Sequence, residues 1–304
     1  MASVDIITTI SNTRNMIFRC EILRRSLVKY SNLDFNFHVV VTTDSPISKW
    51  LPYYDKSFTE EIRLKNYSLV ENSFIWRSNC HWKNHMPVRW YVPCESNKII
   101  FIDSDIIVVG DLSESIESKE EDISGVPIYS SNIPISIWKK HILENYVNTH
   151  DWENKITELN YNFYTSITKE FIPACFNFGF LVFNRKNYEE IKNTFVYNVG
   201  YFTGLDLDKG NKFAAQLALT STIFQLSLKL KKLSLHYNCP NFSPKHYLYK
   251  SFYKASHDHF KDAKVLHYLF SRDLLDSSFS NLKKINFYDD KVLKHFLEYN
   301  IKLI

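Results

Sequence analysis

The run Lys98-Ile99-Ile100-Phe101-Ile102-Asp103-Ser104-Asp105-Ile106-Ile107-Val108-Val109 decides how the rest of the chain is read. β-Branched and aromatic residues dominate it, the composition of a strand buried on both faces of an α/β sheet. Two carboxylates interrupt the run, and desolvating a carboxylate is costly unless a cation, strong donors or a strand end open to water compensates it. In extended chain the side chains alternate, so Asp103 and Asp105 are expected on one side and Ser104 on the other. Two hard oxygens on one side suit Mg²⁺ or Mn²⁺.

Working outward, Val4 to Ile10 reads as a first strand, with Asn12 placed to cap the helix that follows. Met16, Cys20, Leu23, Leu27 and Tyr30 then recur at helical spacing as a buried stripe. Phe37 to Thr43 is the next strand, ended by Asp44-Ser45-Pro46. Strand, helix and strand at this spacing form a βαβ unit of a parallel sheet, and ligands of such sheets gather at the C-terminal strand ends. Thr8, Thr9 and Thr43 sit there. Further on, Ile123 to Pro127 reads as a shorter strand and residues 135–148 as helix. Phe176 to Asn184 is a long strand in which Gly179 permits close approach of backbone or ligand and Asn177 offers a donor and an acceptor to a hydroxylated substrate. Phe213, Leu217, Thr220, Phe224 and Leu228 make another helical stripe that leaves Gln216 off it. Lys264 to Phe270 is a short strand carrying His267.

Residues 65–97 hold Trp76, Arg77, His81, Trp82, His85 and Trp90 without clean periodicity. Such a cluster either stacks on a base or sugar or forms a small satellite core, and the core reading leads. Asp206-Leu207-Asp208, between Gly204 and Gly210, repeats the paired carboxylates in a loop-like composition, and His257 and His259 lie in a charged setting; both pairs read as solvated.

With 45% hydrophobic, 23% charged and 16% aromatic residues in 304, the chain is globular. Six glycines and nine prolines leave little linker material, so one continuous domain is expected. The net charge of +4 is mild and the cations are dispersed, which argues against a nucleic-acid partner. Five scattered cysteines, without a Cys-x-x-Cys pair, exclude a disulfide framework or zinc knuckle. No run is long enough to span a bilayer and no signal core is visible, so a cytoplasmic location is expected.

Taken together, these stretches resemble the retaining family 8 glycosyltransferases of the GT-A fold, the glycogenin-like and lipopolysaccharide galactosyltransferase-like enzymes. The likeness lies in order and spacing: the first strand ending at Thr8-Thr9, Arg89-Trp90-Tyr91-Val92-Pro93 leading to the Asp-x-Asp strand, Gly110-Asp111-Leu112 after it, then Asn177-Phe178-Gly179, Ala215-Gln216 and Val265-Leu266-His267-Tyr268. It implies a mixed, mostly parallel Rossmann-like sheet flanked by helices over residues 1–272, with a C-terminal helical extension over 273–304. It also implies a nucleotide-sugar donor, with a UDP-sugar expected, and a glycan, protein or small-molecule acceptor. Asp103, Asp105 and His267 would hold Mn²⁺ or Mg²⁺. Thr8, Thr9, Arg89, Ser104, Gly179 and Arg272 would bind the donor, and Asn177 and Gln216 would act at the reacting sugar. Two departures stand out. Ala215 replaces the family's aspartate, and the family's glycine and Lys-Pro-Trp after the histidine are missing, which leaves Arg272 as the nearest diphosphate cation.

Other readings fare worse. A haloacid dehalogenase-type phosphatase would want a small residue and Thr where Ile106 and Ile107 stand. A nicotinamide dehydrogenase would need a Gly-x-Gly-x-x-Gly turn where Ser11 to Asn15 has no glycine. An inactive nucleotide-sugar-binding or scaffold protein is the alternative that Ala215 favours.

Overall fold

Lys98 to Val109 does not form one strand. In the computed structural model, which describes residues 4–11, 13–43, 73–81, 85–128, 135–143, 162–164, 171–205, 214–240 and 262–267, the run splits between two sheets. β1 (Val4–Ser11), β2 (Phe35–Thr43), β3 (Ser73–His81), β4 (Lys98–Ile102), β6 (Ile123–Pro127), β9 (Phe176–Asn184) and β10 (Leu230–Lys232) form a sheet of order β10-β6-β9-β4-β1-β2-β3. Its neighbours run parallel except around β9, which is antiparallel to β4 and β6. Asp103 leaves β4, Ser104 and Asp105 turn, and β5 (Ile106–Val108) joins β12 (Val265–His267) and β11 (Cys239–Pro240) in a second sheet. The expected single strand breaks where its two carboxylates border a cavity at the strand end instead of pairing inside a ladder. A hairpin of β7 (Asn162–Tyr164) and β8 (Phe171–Pro173) completes the strands among the described residues.

The sheet is covered on both faces. Ile6, Ile100, Ile102 and Val182 pack with the stripe Ile17, Cys20, Leu23 and Leu27 of α1 (Arg14–Tyr30). The helix is capped by Thr13, not Asn12: the Thr13 hydroxyl accepts from Met16 N at 3.4 Å, and Asn12 lies outside the described residues. Ile7, Ile99, Phe101 and Phe183 face the other way, toward α2 (Tyr188–Gly204) and α3 (Ala214–Leu226). Trp90 sits at the centre of that second layer, its ring 4.7 to 5.2 Å from those of Phe101, Phe183, Tyr188 and Phe195. The expected satellite core is thus the main core at Trp90, because the segment after the short helix His85–Val88 runs under the sheet. Trp76 of β3 belongs to the same cluster. The helix expected over 135–148 is helical over Ile135–Trp138 and continues as a wider turn to Leu143. Residues 144–148, Trp82, Asp206, Asp208, His257, His259, Arg272 and 273–304 lie outside the described residues, as do the side chains of Thr43, Arg77, His81 and His85.

Asp5 locks the start of the fourth strand. Its Oδ2 accepts from the backbone N–H of Glu95 (2.8 Å) and Ser96 (2.9 Å), and its Oδ1 accepts from Asn36 Nδ2 (3.0 Å) and His38 Nε2 (3.1 Å). Trp76 Nε1 donates to His38 Nδ1 at 3.1 Å, so the imidazole hydrogen is on Nε2, where it meets Asp5. Burial alone would raise the Asp5 carboxyl, but hydrogen bonds from His38, the Ser96 amide and Asn36 outweigh it and hold the group well below the usual carboxylate range.

Candidate active site

At the other end of β4 the chain is placed just as firmly. Asp103 N donates to Gly179 O at 3.1 Å, which ties the turn to β9. One residue past Asp105, Ile106 of β5 stands opposite His267 of β12, so strand pairing alone brings a histidine from far along the chain beside the carboxylates. One ligand-type atom from each of Asp103, Asp105 and His267 lies within 4.8 Å of the others, and His267 Nε2 is 3.2 Å from Asp105 Oδ1. Asp105 and His267 are buried and Asp103 is half-buried. The Nε2 atom is itself buried and has no hydrogen-bond partner.

Three residues back the His267 ring. Its Nδ1 is 2.9 Å from Asn238 Oδ1, Asn238 Nδ2 is 2.9 Å from Asn177 Oδ1, and Gly179 N donates to that same oxygen at 2.8 Å. A Cβ on Gly179 would lie 2.7 Å from both Cε1 and Nδ1 of the ring. The space left by this glycine is therefore occupied by a histidine of the protein itself.

Arg89 enters from the short turn Arg89–Tyr91 and is fully buried. Its Nε donates to Thr9 Oγ1 at 3.1 Å and its NH2 to Asp103 Oδ1, while NH1 is buried without a hydrogen-bond partner. These residues border a cavity of about 250 Å³ at the C-terminal strand ends, also lined by Ile10, Ser11, Met16, Arg19, Thr42, Ser104 and Asp105. Among the described residues its formal charges are two guanidiniums, Arg19 and Arg89, and two carboxylates, Asp103 and Asp105.

Of the residues expected at the site, the structure brings together Thr9, Arg89, Asp103, Ser104, Asp105 and His267, with Asn177 and Gly179 behind the histidine. Thr8 is fully buried and outside the cavity lining. Gln216 is half-buried in the first turn of α3, beside Ala215, which packs against the core. Arg272 lies outside the described residues. Sequence reasoning missed Arg19 and Asn238. Nothing in the spacing distinguishes Arg19 from Arg24 and Arg25 on the same helix, which bind Glu21. Asn238 carries no local signal at all. Burial pushes the Cys175 thiol up to about 12, which keeps it protonated.

The mixed, mostly parallel seven-stranded sheet flanked by helices is the GT-A architecture that the resemblance implies. The chain belongs to Glycosyl transferase family 8, whose pattern it matches over residues 7–271. Its structure is similar to the apo form of the bifunctional glycosyltransferase WbbM, with a TM-score of 0.54 and 16% identity over 96% of this chain and 49% of WbbM, so it spans about half of that protein's length. It is also similar to apo mouse xyloside xylosyltransferase 1, with a TM-score of 0.50 and 9% identity over 90% and 99% of the two chains. At these identities the likeness speaks to the fold. No curated sequence matches the chain. The resemblance to family 8 drawn from motif order is borne out, and residues 7–271 form a family 8 glycosyltransferase domain. No helix among the described residues is long and apolar enough to cross a membrane.

Proposed function

We propose that the enzyme transfers the sugar of a UDP-sugar to an acceptor hydroxyl with retention of configuration, using Mn²⁺ or Mg²⁺ held by Asp103, Asp105 and His267. The observation that carries this reading is the buried, unpartnered Nε2 of His267 facing Asp105 across 3.2 Å. Two carboxylates and a neutral imidazole make a mixed oxygen and nitrogen donor set that suits Mn²⁺. Such an ion, when bound, supplies positive charge to a diphosphate leaving group.

The protein's own groups divide the remaining work. Arg89 orients Asp103 through NH2 and Thr9 through Nε, and its NH1 is available to a phosphate or sugar oxygen. Arg19, Thr9, Thr42 and Ser104 line the same cavity and complete the donor pocket in this reading. Arg272 is the family-based candidate for a second diphosphate cation. Asn177 has committed its Oδ1 to Gly179 and Asn238, which leaves its N–H groups to donate to a sugar hydroxyl. Gln216 is assigned to the same sugar by motif order. With Asp103 and Asp105 both in the metal site, no other carboxylate among the described residues lines the cavity to act as base for an inverting attack, which supports retention with the leaving phosphate accepting the proton.

Calorimetric titration of UDP in Mn²⁺ tests the assignment: Asp105→Asn should weaken binding by about 100-fold, in the range of losing a first ligand's charge. Unchanged affinity overturns it. The anomer formed from a UDP-sugar, read by NMR, tests retention.

A further inference from the structure

We propose that Asn238 is a positioning residue that fixes the tautomer of His267 and so turns Nε2 into a metal ligand. The inference rests on the metal-site reading and adds to it a residue that never touches the donor.

The assignment follows from which atoms are able to donate. A backbone amide only donates, so the Asn177 atom 2.8 Å from Gly179 N is its carbonyl oxygen. The Asn238 atom 2.9 Å from that oxygen must then be the N–H donor, Nδ2. What remains is Oδ1, an acceptor, 2.9 Å from His267 Nδ1. An acceptor there requires a hydrogen on Nδ1, and a neutral imidazole with hydrogen on Nδ1 carries its lone pair on Nε2. Nε2, which then carries that lone pair, lies 3.2 Å from Asp105 Oδ1 and is buried without a hydrogen-bond partner. An imidazole lone pair and a carboxylate oxygen at this distance repel each other unless a cation joins them.

The relay is anchored at both ends. It starts from a strand amide of β9, and Asn238, fully buried, is held by the turn Leu235–Asn238 while the next two residues pair with β12, Pro240 beside His267. Gly179 closes off the ring from behind, since even a methyl group would meet it at 2.7 Å. His267 is therefore fixed in position by packing and in protonation pattern by one amide.

Asn238→Leu and Asn238→Asp separate this role from space filling. Leucine fills similar volume without an acceptor; aspartate keeps the acceptor toward Nδ1 and gives up the donor to Asn177. Binding of Mn²⁺ to the full chain at pH 8, followed by the electron paramagnetic resonance signal of free Mn²⁺, should weaken by about 10- to 100-fold in Asn238→Leu and only a few-fold in Asn238→Asp. If Asn238 merely fills space, the order reverses, because leucine packs and aspartate buries a charge. Metal-free ¹H–¹⁵N spectra of the histidine rings, with His267 identified by its loss in His267→Gln, should show Nδ1–H in the wild type and in Asn238→Asp, and a shift toward Nε2–H in Asn238→Leu. Equal Mn²⁺ affinity in wild type and Asn238→Leu overturns the proposal, as does an Nε2–H tautomer in the wild type, which needs no variant to fold. Absence of Mn²⁺ binding in the wild type instead overturns the metal-site reading, and the tautomer spectrum still decides the role of Asn238.

Discussion

Strand β1 has a buried carboxylate network at its start and borders the candidate active site at its end, and the two use nearly the same side chains to opposite effect. At the start, Asp5, Asn36, His38 and Trp76 satisfy one another: both Asp5 oxygens accept two bonds, and both His38 nitrogens are engaged. At the other end, Asp103, Asp105, His267, Asn238 and Arg89 are as tightly placed but incomplete, with His267 Nε2 and Arg89 NH1 buried and unpartnered. The difference is one of completeness, not of residue type. A closed network spends its hydrogen-bonding capacity on the fold, while an open one costs stability and keeps that capacity for a ligand.

Removing a carboxylate from each end should have opposite consequences. Asp105→Ala is expected to lower sugar transfer by about 10³-fold while leaving the thermal midpoint unchanged or slightly raised, because it relieves the contact with the His267 lone pair. UDP release and scanning calorimetry on the same preparation check both halves. Asp5→Ala should do the reverse, lowering the unfolding free energy by about 3–5 kcal/mol, since it strands four donors, two of them, Ser96 N and His38 Nε2, buried, with KM for the donor unchanged in the protein that remains folded. Urea titration and initial rates would show it; a large KM effect with little loss of stability would erase the contrast.

The folded Asp5 carboxyl is held below its unfolded value near 3.9, so its stabilisation is fully present above that value and is lost as pH falls through the folded one. Urea midpoints of the wild type should accordingly drop more steeply below about pH 4 than those of Asp5→Asn, and parallel curves would show that the group is not held down by its partners. The smallest effect expected is at Gly179→Ala. Its Cβ would displace the His267 ring, with about 1–3 kcal/mol of stability lost to overpacking and Mn²⁺ affinity reduced by about 10-fold. A crystal structure with the ring unmoved and affinity intact would remove Gly179 from the support of the site.

Much of this molecule is legible in the chain itself, and the limits are physical. The βαβ unit, the strands Ile123–Pro127 and Phe176–Asn184 and the helical stripes follow from periodicity, because apolar spacing and burial are local properties that each segment carries with it. The order of motifs along the chain carries the family and points to Asp103, Asp105 and His267, which the fold brings together. What the chain alone does not contain is who satisfies whom. The break of Lys98 to Val109 between two sheets, Trp90 as the centre of the main core, Arg19 in the cavity wall and Asn238 behind His267 were all decided by tertiary structure. A buried polar group takes its partner from whatever the fold brings near, and Asn238 and His267 lie 29 residues apart with no pattern linking them until β11 and β12 pair.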